Sequence, residues 1–136
     1  MPIESPVEHQ RIWIEALNRG DVSVADAVFS PDCVFHITGV AAPLRGPGAW
    51  KEMVTGLLAA FPDLRFTVEQ QIVQGDRVAF RWRAEGTHTG PLGAVPPTGK
   101  AMAVDGLIID HLENGKVRER WEQWDQSLML QQLGLA

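Results

Sequence analysis

The hydrophobic period of the chain changes at Pro62. Upstream, Trp50, Met53, Val54, Leu57, Leu58 and Phe61 recur at i, i+3, i+4, i+7, i+8 and i+11, the apolar face of a helix whose extension Pro62 limits. Downstream the period is two. Leu64, Phe66 and Val68 alternate with Arg65, Thr67 and Glu69, and Val78, Phe80, Trp82 and Ala84 alternate with Arg81, Arg83 and Glu85. A chain of 136 residues with helices first and consecutive strands after is expected to be one α+β domain, residues 1–136.

The remaining elements follow from the same patterns. Ile12, Trp13, Ala16 and Leu17 form a helical stripe that Gly20 stops, and Asp21 is expected to cap a short helix carrying Val24, Ala25 and Val28. Residues 33–38 alternate as a strand, with Cys33, Phe35 and Ile37 on one side and Val34, His36 and Thr38 on the other. Gly- and Pro-rich loops cover 39–48 and 86–99, and Gly75-Asp76 and Glu113-Asn114-Gly115-Lys116 read as hairpin turns. Met102 to Leu112 and Val117 to Trp124 complete the strands, and Asp125 is expected to cap a last helix carrying Leu128, Leu130 and Leu133. A long twisted antiparallel sheet can curl around the third helix and leave a pocket open at one end.

Composition excludes several functions. The net charge is −5 with no basic patch, which argues against nucleic acid or anionic lipid as a partner. The longest apolar run, Leu57 to Phe61, is too short for a membrane span. Glu4, Glu8, His9 and Arg11 leave no signal-peptide core, so a cytoplasmic protein is expected. The lone Cys33 can make neither an internal disulfide nor a cysteine metal cluster, and neither a His-x-x-x-His pair, a phosphate loop nor a nucleophile elbow occurs.

Several motifs come in a fixed order: Phe61-Pro62-Asp63-Leu64, Gly75-Asp76-Arg77-Val78-Ala79, Gly86-Thr87-His88, Pro97-Thr98-Gly99-Lys100, Gly115-Lys116-Val117-x-Glu119-x-Trp121 and Gln131-Gln132-Leu133-Gly134. With them the chain resembles the SnoaL-like polyketide cyclase family of the nuclear-transport-factor-2-like superfamily. The resemblance implies a cone-shaped α+β barrel, a curved, mostly antiparallel sheet wrapped around the N-terminal helices and enclosing a deep pocket. It further implies a homodimer without metal or organic cofactor. The family's cyclases use a carboxylate on the last strand as general acid/base, and the matching position is Glu122. The chain departs from the cyclases in carrying glutamate there. It also carries apolar Gly106-Leu107-Ile108-Ile109 where they place polar pocket residues.

Glu122, within Trp121-Glu122-Gln123-Trp124, is the leading candidate, because a carboxylate in an apolar cavity acquires a pKa suited to proton transfer near neutrality. Its direction depends on register: a two-residue hairpin sets Leu107 opposite Glu122, and a Gly bulge sets Gly106 there. Asp105 is a second candidate carboxylate, and Asp125 is either a helix cap or a substrate contact. His36 could face the pocket, and His88 could contact substrate at its mouth, whereas His9 and His111 read as surface residues. Arg81 could orient a substrate oxygen, and Trp50, Trp82 and Trp121 could line an aromatic pocket. Three functions compete. The first is a cofactor-independent acid/base enzyme on a small or medium apolar carbonyl compound, catalysing cyclisation, isomerisation or dehydration. The second is an epoxide hydrolase of the limonene-epoxide-hydrolase type, using Asp105, Glu122 and Arg81. The third is a non-catalytic dimer that binds a small apolar molecule. One unpaired buried carboxylate favours the first, an arginine held between two carboxylates the second, and a pocket filled by Trp82, Trp121 and Phe66 the third.

Overall fold

The computed structural model describes residues 6–136, with the side chains of residues 6, 7 and 9 outside the description, so the reading of His9 lies outside it as well. Helix α1 (Pro6–Asn18) and the single turn α2 (Ala25–Val28) lead into strand β1 (Phe29–Ile37). A two-residue strand β2 (Leu44–Arg45) and helix α3 (Pro47–Ala60) follow, then β3 (Arg65–Gln74), β4 (Arg77–Thr87), β5 (Ala101–Glu113) and β6 (Lys116–Trp124), and finally α4 (Gln126–Gln132).

The strands form one curved sheet in the order β2-β1-β6-β5-β4-β3. The fold is α+β as expected, but the sheet is open and not a closed barrel, because β2 and β3 are free edges. All pairings are antiparallel except β1 with β6, which run parallel; helix α3 and four strands lie between them in the chain and carry it back to the same end of the sheet. The concave face carries the core: Phe35 and Ile37 of β1, Phe66 of β3, Phe80, Trp82 and Ala84 of β4, and Met102, Val104 and Ile108 of β5 are buried there. Helices α1 and α3 cover it with Trp13, Leu17, Trp50 and Val54, and Trp13 meets Trp50 edge-on at 6.3 Å.

Local chemistry accounts for the element ends. Gly20 adopts φ 74° past α1, and its N–H and that of Asp21 close onto the carbonyls of Leu17 and Ala16. Asp21 does not cap α2. Its carboxylate turns onto the Ser23 N–H and hydroxyl, and Val24 occupies the N-cap without a side-chain bond. Asp125 does cap α4, accepting from the Leu128 N–H at 2.9 Å. Short strand β2, inside the 39–48 loop, gives no sequence signal because two residues cannot establish a period.

The register of β5 with β6 differs from both expected alternatives. Glu113 faces Lys116 and Leu112 faces Val117 across a two-residue Asn114-Gly115 turn, but His111 then faces Glu119. The extra residue is Arg118, a bulge in β6, so Ile108 and neither Leu107 nor Gly106 lies opposite Glu122.

Candidate active site

Beneath α3 and against the concave face lies a cavity of about 230 Å³ whose walls are chiefly apolar. Trp13, Trp50, Trp82 and Trp124 line it with Phe66, Met53, Met102 and Met129, and among the described residues the charged side chains in its lining are Arg120 and Glu122. Trp82 lies flat on Gly106, where a Cβ would collide with the indole, so the glycine makes room for the ring.

Pairing across the sheet defines the surroundings of the two charges. Ile108 and Ile37 flank Glu122 on the neighbouring strands, and Asp110 and Phe35 flank Arg120. Among the described residues the Glu122 side chain has neither a hydrogen bond nor an ion pair. Desolvation pushes its carboxyl up from 4.5 to about 7. The Arg120 guanidinium opposes the rise, and the Asp110 carboxylate adds to it. Half of such a group is ionised near neutral pH, the condition under which one side chain both takes and returns a proton.

Arg120 and Asp110 form a bidentate pair, Nε to Oδ1 at 2.7 Å and Nη2 to Oδ2 at 2.8 Å, at 1% and 0% side-chain exposure. The guanidinium carbon also sits 4.7 Å from the Trp13 ring centroid and 5.0 Å from that of Phe29. Burial pulls the arginine pKa down, but the charge and hydrogen bonds of Asp110 outweigh it and hold the group above its ordinary value. Neither residue is among the sequence candidates. The available signal was the alternation of β5: Met102, Val104, Gly106, Ile108 and Leu112 share a buried face with Asp110, and an aspartate there requires a cation.

The other candidates separate into three groups. Trp50 and Trp82 line the cavity. Asp105, Arg81, His36 and Trp121 do not, because strand alternation turns them to the convex face. Asp105 lies 3.7 Å from Arg83, Arg81 stands beside Leu107, and His36 bonds Glu119 at 2.7 Å while stacking on Trp121 at 5.4 Å. Asp125 and Arg81 border a separate open groove there with Asp105, and Asp125 is committed to its cap. His111, read as a surface residue, pairs with Asp76 at 3.0 Å on that convex face.

His88 is fully buried but away from the cavity. Its Nδ1 accepts the Thr98 N–H at 3.1 Å and meets the Thr98 hydroxyl at 2.9 Å, and its ring lies 5.5 Å from Phe61. Asp63 accepts from the Thr87 N–H at 2.7 Å and from its hydroxyl at 2.8 Å. The motifs at 61–64, 86–88 and 97–100 are therefore one structural joint. Gln132 likewise bonds both backbone groups of Ala103, on the stretch of β5 beyond its β6 pairing.

Among the described residues no group of three or more His, Cys, Asp or Glu side chains could hold a metal, and no helix is long and apolar enough to cross a membrane.

Comparisons with known proteins agree with this architecture. The family model of the SnoaL-like polyketide cyclase matches residues 7–133. IdmH of Streptomyces antibioticus, a proposed polyketide cyclase, is 32% identical, with a TM-score of 0.84 over 96% of this chain and 99% of that one. AclR of Streptomyces galilaeus, a proposed hydroxylase, is 29% identical, with a TM-score of 0.83 over 97% and 88%. A Catenulispora acidiphila protein with a ketosteroid isomerase-like fold, crystallised with trimethylamine, is 17% identical, with a TM-score of 0.80 over 97% and 95%. Among curated proteins none matches the chain.

Proposed function

Since the chain belongs to the SnoaL-like polyketide cyclase family, we propose that it is a cofactor-independent acid/base enzyme acting on a small or medium-sized, largely apolar carbonyl compound. The observation that carries this reading is the unpaired Glu122 carboxyl in an apolar cavity, raised to about 7. Glu122 takes a proton from carbon next to the carbonyl and returns it elsewhere on the substrate, which serves cyclisation, isomerisation or dehydration alike. The four tryptophans bind the apolar body of the substrate. Similarity to both a proposed cyclase and a proposed hydroxylase leaves the choice among reactions to pocket shape.

The epoxide-hydrolase arrangement finds less support. Arg120 gives Nε and Nη2 to Asp110 and does not bridge to Glu122, and Arg81 and Asp105 lie on the convex face. Replacing Glu122 with Gln tests the acid/base reading, because the amide keeps the shape and removes the titrating proton. Turnover of a carbonyl substrate is expected to fall roughly 10²–10⁴-fold with little change in affinity. Full activity of the variant would overturn the assignment, and binding without turnover by the parent protein would favour a non-catalytic module.

We also propose that the protein is a homodimer through the convex face. There Ile72, Ala79, Ile109 and Trp121 pair strand to strand and form one row across β3, β4, β5 and β6. Ile72, Ile109 and Trp121, with Leu107 beside the row, are the large hydrophobic side chains exposed on this sheet face.

A further inference from the structure

We propose that Arg120 is the oxygen-binding residue of the cavity: its Nη1 edge receives the substrate's carbonyl oxygen and stabilises the enolate formed when Glu122 removes the neighbouring proton. This rests on the acid/base reading of Glu122 and adds a substrate class, a ketone or aldehyde with an ionisable C–H beside the carbonyl.

The donor is available by geometry. Asp110 occupies Nε and Nη2, and among the described residues Nη1 has no protein partner, while Arg120 borders the cavity with 1% of its side chain exposed. The planar group is held in place by Asp110 on one edge and by the Trp13 and Phe29 rings at 4.7 and 5.0 Å. A donor fixed before the reaction needs no reorganisation when charge develops on the oxygen.

The spacing suits the reaction. Arg120 and Glu122 are two residues apart on β6, so both side chains leave the same face of the strand, and both line the cavity. A substrate carbonyl oxygen about 2.9 Å from the Nη1 nitrogen, with the neighbouring carbon about 3 Å from the carboxylate, would complete the reacting geometry. The Glu122 carboxylate accepts the proton, the C–H electron pair becomes the new C=C bond, and the carbonyl π pair moves to oxygen. The resulting oxyanion accepts a hydrogen bond from Nη1. Charge is conserved, with a neutral Glu122 and an anionic substrate in place of the reverse. Asp110 explains how the cation and the base coexist, because it offsets the guanidinium charge that would otherwise keep Glu122 ionised and weakly basic.

The test uses 2-naphthol, an aromatic stand-in for an enol. A cavity of about 150 Å³ holds benzene, so one of about 230 Å³ has room for two small fused rings. Glu122→Gln supplies the neutral side chain present after proton transfer. In this variant the ionisation midpoint of bound 2-naphthol, followed by absorbance, is expected to fall at least one pH unit below its value in water, a tenfold preference for the anion. Adding Arg120→Gln and Asp110→Asn together removes both buried charges. The shift should then vanish, while naphthalene, which has no oxygen, binds both variants within about twofold. Bound 2-naphthol titrating as in water overturns the role of Arg120 and leaves the acid/base reading intact. If neither aromatic binds, both fail. The Glu122→Gln titration decides even if the triple variant does not fold.

Discussion

The half-buried Glu122 carboxyl makes a prediction about stability that needs no substrate. Its pKa is 4.5 in the unfolded chain and about 7 in the folded one, so folding favours its protonated form. Below about pH 4.5 both states are protonated and Glu122 costs nothing; between about 4.5 and about 7 the unfolded chain ionises while the folded one holds its proton, so the cost grows across that window and is constant above it. At about 1.4 kcal/mol per pH unit, the gap between 4.5 and about 7 corresponds to an upper bound of about 3 kcal/mol at pH 8. Glu122→Gln removes the titration. Urea unfolding should give parent and variant nearly equal stability near pH 4.5, with the variant gaining up to about 3 kcal/mol near pH 8. A melting-temperature difference of about 10 °C would accompany the full value. Because other titrating groups are common to both proteins, the difference between the two curves isolates Glu122. A gap that is the same at both pH values, or one that favours the parent protein at pH 8, would show that the carboxyl is solvated and not enclosed.

Two further perturbations probe the frame around the site. Gly106→Ala drives a methyl into the Trp82 indole and pushes the ring toward the cavity. It should cost about 1–3 kcal/mol in urea unfolding and weaken naphthalene binding, and unchanged values would refute the contact. Ile109→Glu places a charge in the middle of the convex apolar row, beside Ala79 and Trp121. Light scattering should show twice the chain mass for the parent protein and a shift toward the single-chain mass for the variant, and a monomeric parent would refute the dimer.

Sequence reasoning succeeded where one local signal decides an element. The change of period at Pro62, the glycine stop at Gly20 and the cap at Asp125 all appear in the structure because each depends on a few adjacent residues. It was weaker where residues meet across strands. Some of that was legible from alternation alone: Arg81 and Trp82 are neighbours on one strand, as are Trp121 and Glu122, so neither pair can share the pocket. His88 was harder, since its partner Thr98 arrives only when the 89–100 loop folds back beside β4. Asp110 and Arg120 went unseen because their meeting depends on a register that turn length alone does not determine.

That register shows how the site is made. Without the Arg118 bulge, the hairpin would continue as it begins, with Glu113 opposite Lys116 and Leu112 opposite Val117. Glu122 would then stand opposite Leu107, and Arg120 opposite Ile109, both residues of the exposed face. Trp121 would turn inward in their place. The single extra residue carries β6 half a pleat onward, so that Arg120 meets Asp110, Glu122 lies between Ile37 and Ile108, and Trp121 joins the convex row beside His36. One bulge therefore directs the two charged groups into the cavity and an indole onto the outer face. Bulges next to functional sites commonly re-aim side chains in this way. The physical cost is a buried ion pair and a desolvated carboxyl. That cost is intelligible if the cavity exists to move a proton, because an apolar lining of the same volume would have made a more stable sheet.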